Sequence, residues 1–279
     1  MYALVFPGQG VRCKGMGAGL FEEFPELTGQ ADRLLGYSLA DLCAHDPQQR
    51  LRDIRYAHPA IYFVNALLAL RRTTGGEKRY LCYAGHGLGE YNALVAAGML
   101  DVLTGLSLVV RRADLMARVR HGAMATVDGL PANRVERALR ANGLHSVHVS
   151  GRNSNLQVSI SGYRTQLRPA AMAMRVAGAT QVEAIAATTG PYHTPLMAPA
   201  GQAYAQILRD VAFREGHTPV VSSVTGDVLD RRQAVELLAR QLAAPVEWVR
   251  AVQTMRILGI RRFDEVNGRT LTSFIQHIG

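Results

Sequence analysis

The sequence predicts an α/β protein with a mostly parallel sheet and a smaller inserted domain. Three observations lead there. Short apolar runs alternate with longer runs of helical period, the pattern of parallel strands joined by crossover helices. From Gly122 to about Gly190 the units shorten into strand, helix, two strands, helix, strand, the split order of a ferredoxin-like fold. A buried strand also runs directly into Gly85-His86-Gly87-Leu88-Gly89 and then into an Ala- and Leu-rich helix.

Taken in order, Tyr2–Phe6 reads as the first strand, followed by a polar loop, a helix over Phe21–Leu35 and a second over Ile61–Leu70. Arg79–Ala84 is a short buried strand, Tyr91–Ala97 a helix, and Val102–Val119 a helix with apolar residues at three- and four-residue spacing. The inserted part has strands at Met124–Val127, Val147–Ser150, Gln157–Ser161 and Gln181–Ile185, with helices over Ala132–Asn142 and Tyr163–Ala177. The large part resumes with a helix over Met197–Leu208, a strand at Pro219–Val224, a helix over Arg232–Leu242 and a closing pair. Residues 1–122 and 192–279 are thus expected to form the large domain, and residues 123–191 the inserted subdomain.

Composition narrows the function classes. The chain has 279 residues, 48% apolar and 19% charged, which excludes a disordered chain and is long enough to bury a real core. Its net charge is +9, from 31 basic against 22 acidic residues. That charge is spread out and aromatics are only 6%, so a nucleic-acid stripe is not expected, whereas a phosphate-bearing or acidic partner is. Cys13, Cys43 and Cys82 lie far apart without a CxxC pair, which argues against a disulfide framework and fits a reducing cytoplasm. No run reaches the roughly 18 to 20 apolar residues of a membrane span. The opening residues read as strand and turn rather than a signal peptide.

The glycine turn carries the chemistry. Strand, sharp turn and helix are the layout of a nucleophile elbow, whose following helix N-terminus offers amide N–H groups to a developing oxyanion. Its central position here is Gly87, not a serine. Two plainer readings compete: a dinucleotide turn, which would need glycine where Glu90 stands, and a connection whose glycines merely allow tight packing. His145 and His148 are three apart but approach or enter a strand, and read as surface residues rather than metal ligands. Arg112 has Leu108, Val109, Leu115 and Met116 as its helical neighbours, so its guanidinium belongs on a buried face. There it needs an anion, either a substrate carboxylate gripped by its planar fork or an internal Asp or Glu. Arg111, flanked by Ser107 and Asp114, reads as solvated.

The surrounding residues resemble the malonyl-CoA:acyl carrier protein transacylases, most closely the free-standing, trans-acting acyltransferases of polyketide synthases. Phe6-Pro7-Gly8-Gln9-Gly10 is similar to the family's opening motif, and Gly85–Tyr91 to its G-H-S-L-G-E-Y except at the nucleophile. Gly122-Ala123-Met124-Ala125 and Asn153-Ser154-Asn155 with Val158–Gly162 follow in order. Tyr192–Met197 resembles the F-H-S-P-L-M segment, and Gln241-Leu242, Pro245-Val246 and Trp248 the late Q-L-x-x-P-V-x-W stretch. The resemblance covers essentially the whole chain. It implies a large α/β-hydrolase-like domain with an inserted ferredoxin-like one, and an active site between them. It implies His193 as general base, the carbonyl of Gln241 orienting it, an oxyanion hole from the N–H groups of Gln9 and Leu88, and Arg112 gripping the malonyl carboxylate. No metal or prosthetic group is implied. CoA enters as a thioester substrate, and the expected partners are an acyl-CoA, malonyl-CoA foremost, and an acyl carrier protein.

The departures shape the expectation. Glycine at position 87 cannot form the acyl ester, so ordinary ping-pong transfer is blocked. Val11 and Arg12 stand where the family has serine and its successor, and Glu265-Val266-Asn267-Gly268 has lost a proline and a glycine. Three readings stay open: a transacylase whose serine is replaced by glycine, naturally or by engineering; a hydrolase or other His-dependent catalyst using water in the serine's place; and a non-catalytic module that binds a carrier protein.

Overall fold

The computed structural model describes residues 1–11, 13–74, 78–185 and 190–279; Arg12 lies outside them. The elements begin with β1 (Tyr2–Phe6), α1 (Leu20–Glu23), α2 (Pro25–Leu35), α3 (Leu39–His45), α4 (Ile54–Thr74), β2 (Tyr80–Gly85), α5 (Gly89–Ala96) and α6 (Val102–Arg118). The inserted run is β3 (Gly122–Asp128), α7 (Ala132–Ala141), β4 (Val147–Arg152), β5 (Gln157–Tyr163), α8 (Arg164–Val176) and β6 (Gln181–Ala184). The chain closes with α9 (Ala198–Leu208), β7 (Val220–Val221), α10 (Ala234–Arg240), α11 (Trp248–Ile257), β8 (Arg262–Glu265) and α12 (Thr270–Gln276).

These strands form two sheets. The first is parallel, in the order β7-β2-β1-β8, and the second antiparallel, in the order β4-β5-β3-β6. The second order is that of a split βαββαβ unit, as the sequence led us to expect. In β1 the side chains alternate between two cores. Leu4 and Phe6 join the large cluster with α4, α5 and α6, while Ala3 and Val5 join Cys82, Ala84, Trp248 and Val252 on the other face. A strand buried on both faces is the mark of a central parallel strand. A third core, including Val127, Val135, Val158 and Ile160, lies under the antiparallel sheet. The two parts meet where Val246 exchanges backbone hydrogen bonds with Ser150 and Arg152.

Several expected elements change shape. The helix expected over Phe21–Leu35 is two helices, because Phe24 precedes Pro25 and its backbone leaves the helical region (φ −128°, ψ 58°). The helix expected over Ile61–Leu70 starts seven residues earlier, at Ile54, and carries Pro59 inside it. A proline there costs about 3 kcal/mol. Burying Ile61, Tyr62, Phe63, Val64 and Leu67 returns about 1.5–3 kcal/mol each, so packing wins. The strand expected over Pro219–Val224 pairs only at Val220–Val221. Helix α3 was not anticipated at all.

Candidate active site

The site is built where β1 and β2 end. Three glycines fit the elbow to that place. A β-carbon on Gly85 would lie 2.0 Å from the carbonyl carbon of Gly89, and one on Gly89 would lie 2.1 Å from the carbonyl oxygen of Phe6. Gly87, at the tip, has φ +56°, a region where side chains are strained. The turn after β1 nests against this elbow: a β-carbon on Gly8 would stand 2.8 Å from the His86 carbonyl oxygen and 3.9 Å from the Leu88 nitrogen. Asn65 Nδ2 holds that turn by donating to the Pro7 carbonyl (3.1 Å). Gln9 opens a short 3-10 turn and Leu88 precedes the first residue of α5. Backbone N–H groups at such openings lack intrahelical acceptors.

His193 faces the elbow from the loop before α9. Its own φ is +58°, held by a backbone hydrogen bond from its N–H to the Leu242 carbonyl (3.1 Å). Nδ1 lies 2.8 Å from the Gln241 carbonyl oxygen. A carbonyl can only accept, so Nδ1 carries the proton and Nε2 presents a lone pair. Burial, and then the nearby Arg112 charge, push the imidazole down to about 3, so the ring is neutral at working pH.

Arg112 is 1% exposed on α6. Its Nη2 donates to Gln241 Oε1 (3.0 Å), Nη1 lies 3.5 Å from His58 Nδ1, and Nε has no hydrogen-bond partner among the described residues. Among the described residues no carboxylate lies within ion-pair distance, so the internal ion pair considered from the sequence does not form. Arg111 is exposed. Gln9, Gly87, Leu88, Arg112 and His193 line one cavity of about 270 Å³. Gln241 stands behind it, touching His193 through its backbone and Arg112 through its side chain.

Two contributors escaped the sequence reading. His58 lines the cavity beside Arg112; its signal was a polar side chain inside a nearly unbroken apolar run. Glu90 is fully buried and accepts from Ser223 N (3.2 Å), Ser223 Oγ (2.6 Å) and Gln241 Nε2. Its signal was a carboxylate whose helical neighbours Ala93 and Leu94 are apolar. On the other wall His86 Nε2 lies 3.0 Å from Asn153 Oδ1, and its ring packs on Trp248 at 5.8 Å. Among the described residues, His145 and His148 belong to no metal-binding group and no helix is long and apolar enough to cross a membrane.

Comparison with known proteins shows the family and the fold. Residues 3–263 match the acyl transferase domain family. A polyketide biosynthesis malonyl CoA-acyl carrier protein transacylase, PksC of Bacillus subtilis, is 37% identical over all of this chain and 97% of its own length. The malonyl CoA-acyl carrier protein transacylase of Escherichia coli K12 is 32% identical over 99% of this chain and 92% of its own. Among solved structures, the corresponding transacylase of Burkholderia pseudomallei superposes with a TM-score of 0.95 at 36% identity, covering 100% of this chain and 97% of its own. A malonyl-transacylase in complex with a type II polyketide synthase acyl-carrier protein superposes with a TM-score of 0.93 at 32% identity, covering 99% and 92%. The chain belongs to the acyl transferase domain family.

Proposed function

We propose that this chain is an acyltransferase of the malonyl-CoA:acyl carrier protein type, serving polyketide or fatty acid biosynthesis in the cytoplasm, with glycine in the nucleophile's place. On this reading residues 1–122 and 192–279 form the large domain, residues 123–191 the inserted one, and the cavity between them takes the acyl thioester. The observation that supports it most is the buried Arg112 guanidinium, which shares the cavity with His193 and has no carboxylate partner among the described residues. A malonyl group brings the missing carboxylate, which a planar fork binds better than a neutral acetyl end. Gln9 and Leu88 N–H groups would hold the thioester oxygen as it becomes an oxyanion.

With a serine at position 87, the hydroxyl would attack the thioester carbon and pass its proton to His193 Nε2. The CoA thiol would leave with a proton, and a carrier-protein thiol would later take the acyl group from the serine ester. Glycine lacks that hydroxyl. A specific observation keeps a second reading: His193 Nε2 faces the space beside Gly87 Cα, at 3.2 Å from where a β-carbon would be. A water there could lose its proton to Nε2 while its oxygen adds to the thioester carbon, releasing malonate and free CoA thiol.

Carrier loading tests the first reading. The Gly87→Ser chain is expected to move malonyl from CoA to a carrier protein, and this chain is not. Failure of both to load any carrier offered, with no thioester consumed, would sink the proposal. Thioester consumption by this chain that vanishes in His193→Ala would favour the water reading.

A further inference from the structure

We propose that Glu90 is a positioning residue that sets the orientation of the Gln241 side-chain amide, and through it the Arg112 guanidinium, for an anionic acyl group. The inference rests on Arg112 being the carboxylate grip. The two ends of the Gln241 amide meet opposite demands. Its oxygen accepts from Arg112 Nη2 at 3.0 Å, while its NH₂ donates to Glu90 Oε2 and to the Gly87 carbonyl at 3.1 Å. Were the amide turned over, its NH₂ would face the donor-only guanidinium, and its oxygen would face the oxygens of Glu90 and Gly87. Glu90 therefore fixes which end Arg112 meets.

Glu90 is itself fixed from two sides. The Ser223 N–H donates to Oε1 and its hydroxyl meets Oε2. Burial raises the Glu90 pKa, against the lowering contributions of Ser223 and Gln241. In either protonation state Oε2 keeps a lone pair for Gln241. The Gly87 carbonyl shares the same NH₂, so this network also ties the Arg112 support to the elbow.

Glutamine at position 90 cannot satisfy both partners. With its oxygen toward the Ser223 N–H, its NH₂ opposes the Gln241 NH₂; turned over, it opposes the Ser223 N–H. The test is calorimetric binding of malonyl-CoA and acetyl-CoA to the full chain. This chain is expected to prefer malonyl-CoA and to lose that preference in Arg112→Ala. Glu90→Gln is expected to weaken malonyl-CoA binding about tenfold and change acetyl-CoA binding by less than about twofold. Because Glu90 acts through Gln241, the double variant of Glu90→Gln with Gln241→Met should bind malonyl-CoA no more weakly than Gln241→Met alone. Ser223→Ala, which removes only the hydroxyl beside Oε2, should show the same malonyl-only loss at about threefold, and decides the matter should Glu90→Gln not fold. Equal losses for both thioesters, an unchanged malonyl-CoA affinity, or additive losses in the double variant would overturn the role of Glu90. If this chain and Arg112→Ala bind both thioesters alike, the carboxylate grip fails first and the Glu90 proposal falls with it.

Discussion

The Nε2 atom of His193 stands 3.2 Å from the point that a β-carbon on Gly87 would occupy, and Cε1 stands 3.4 Å from it. The ring's other nitrogen is committed to the Gln241 carbonyl at 2.8 Å. Tautomer and direction are thus both set: the proton-accepting nitrogen is turned to the residue that lacks a side chain.

Restoring a side chain there has a stability cost. Gly87 has φ +56°, where a non-glycine residue costs about 1–2 kcal/mol, and the imidazole must give by a few tenths of an ångström. Gly87→Ser is therefore expected to lower Tm by about 2–6 °C while gaining the ability to be acylated. Scanning calorimetry checks this; a higher Tm would contradict the strained backbone.

Charge alone should not replace the fork at position 112. Arg112→Lys keeps a cation but loses the planar pair of donors. Its malonyl-CoA affinity is expected to fall by about 1.5–3 kcal/mol, with acetyl-CoA nearly unaffected. Titration calorimetry decides, and a lysine variant that binds malonyl-CoA as well as the parent would show that only charge matters.

The depressed pKa of His193 has a definite sign for stability. The folded ring titrates at about 3, below the unfolded value of about 6.5, so between these values the unfolded chain binds more protons. The contribution of His193 is complete above about pH 6.5 and is lost as pH falls toward 3. The urea midpoint should therefore drop between about pH 7 and pH 5, and His193→Gln should make that drop shallower. An unchanged slope would mean the ring is not held neutral. In any His193-dependent reaction the acid limb should likewise fall well below the ordinary histidine range.

One substitution type should act with opposite signs at two glycines. Gly29 sits in α2, and among the described residues outside the helix's own backbone only Arg33 Nη1 comes near its would-be β-carbon, at 3.6 Å. Gly29→Ala is expected to stabilise by about 0.5–1 kcal/mol. Gly89→Ala would place a methyl 2.1 Å from the Phe6 carbonyl oxygen and is expected to destabilise by about 3 kcal/mol or more. Denaturant midpoints of the two variants check the contrast.

Much of this was legible in the residues. The strands expected at Tyr2–Phe6 and Arg79–Ala84 were legible because burial on both faces leaves no polar alternation to misread; the second is observed over Tyr80–Gly85. The glycines of Gly85–Gly89 named the elbow because only a bare Cα fits against the Phe6 carbonyl. The burial of Arg112 was readable from its apolar helical neighbours. Its actual partners were not, since Gln241 is 129 residues away along the chain and no local period links them. His58 lies before the helix expected over Ile61–Leu70, so no helical face was assigned to it; the observed helix begins at Ile54 and includes it. Helix α3 was missed although Ser38 caps it by accepting from the Asp41 N–H at 3.2 Å; its Ser-x-x-Asp start was there to be read.

The most direct measurement is the intact mass of this chain and of its Gly87→Ser variant after exposure to malonyl-CoA, with and without a carrier protein. The account expects a malonyl adduct on the serine variant alone, discharged when the carrier is added. A serine variant that folds, binds malonyl-CoA and still acquires no adduct would contradict the placement of His193, Gly87 and the two turn N–H groups as an acyl-transfer site.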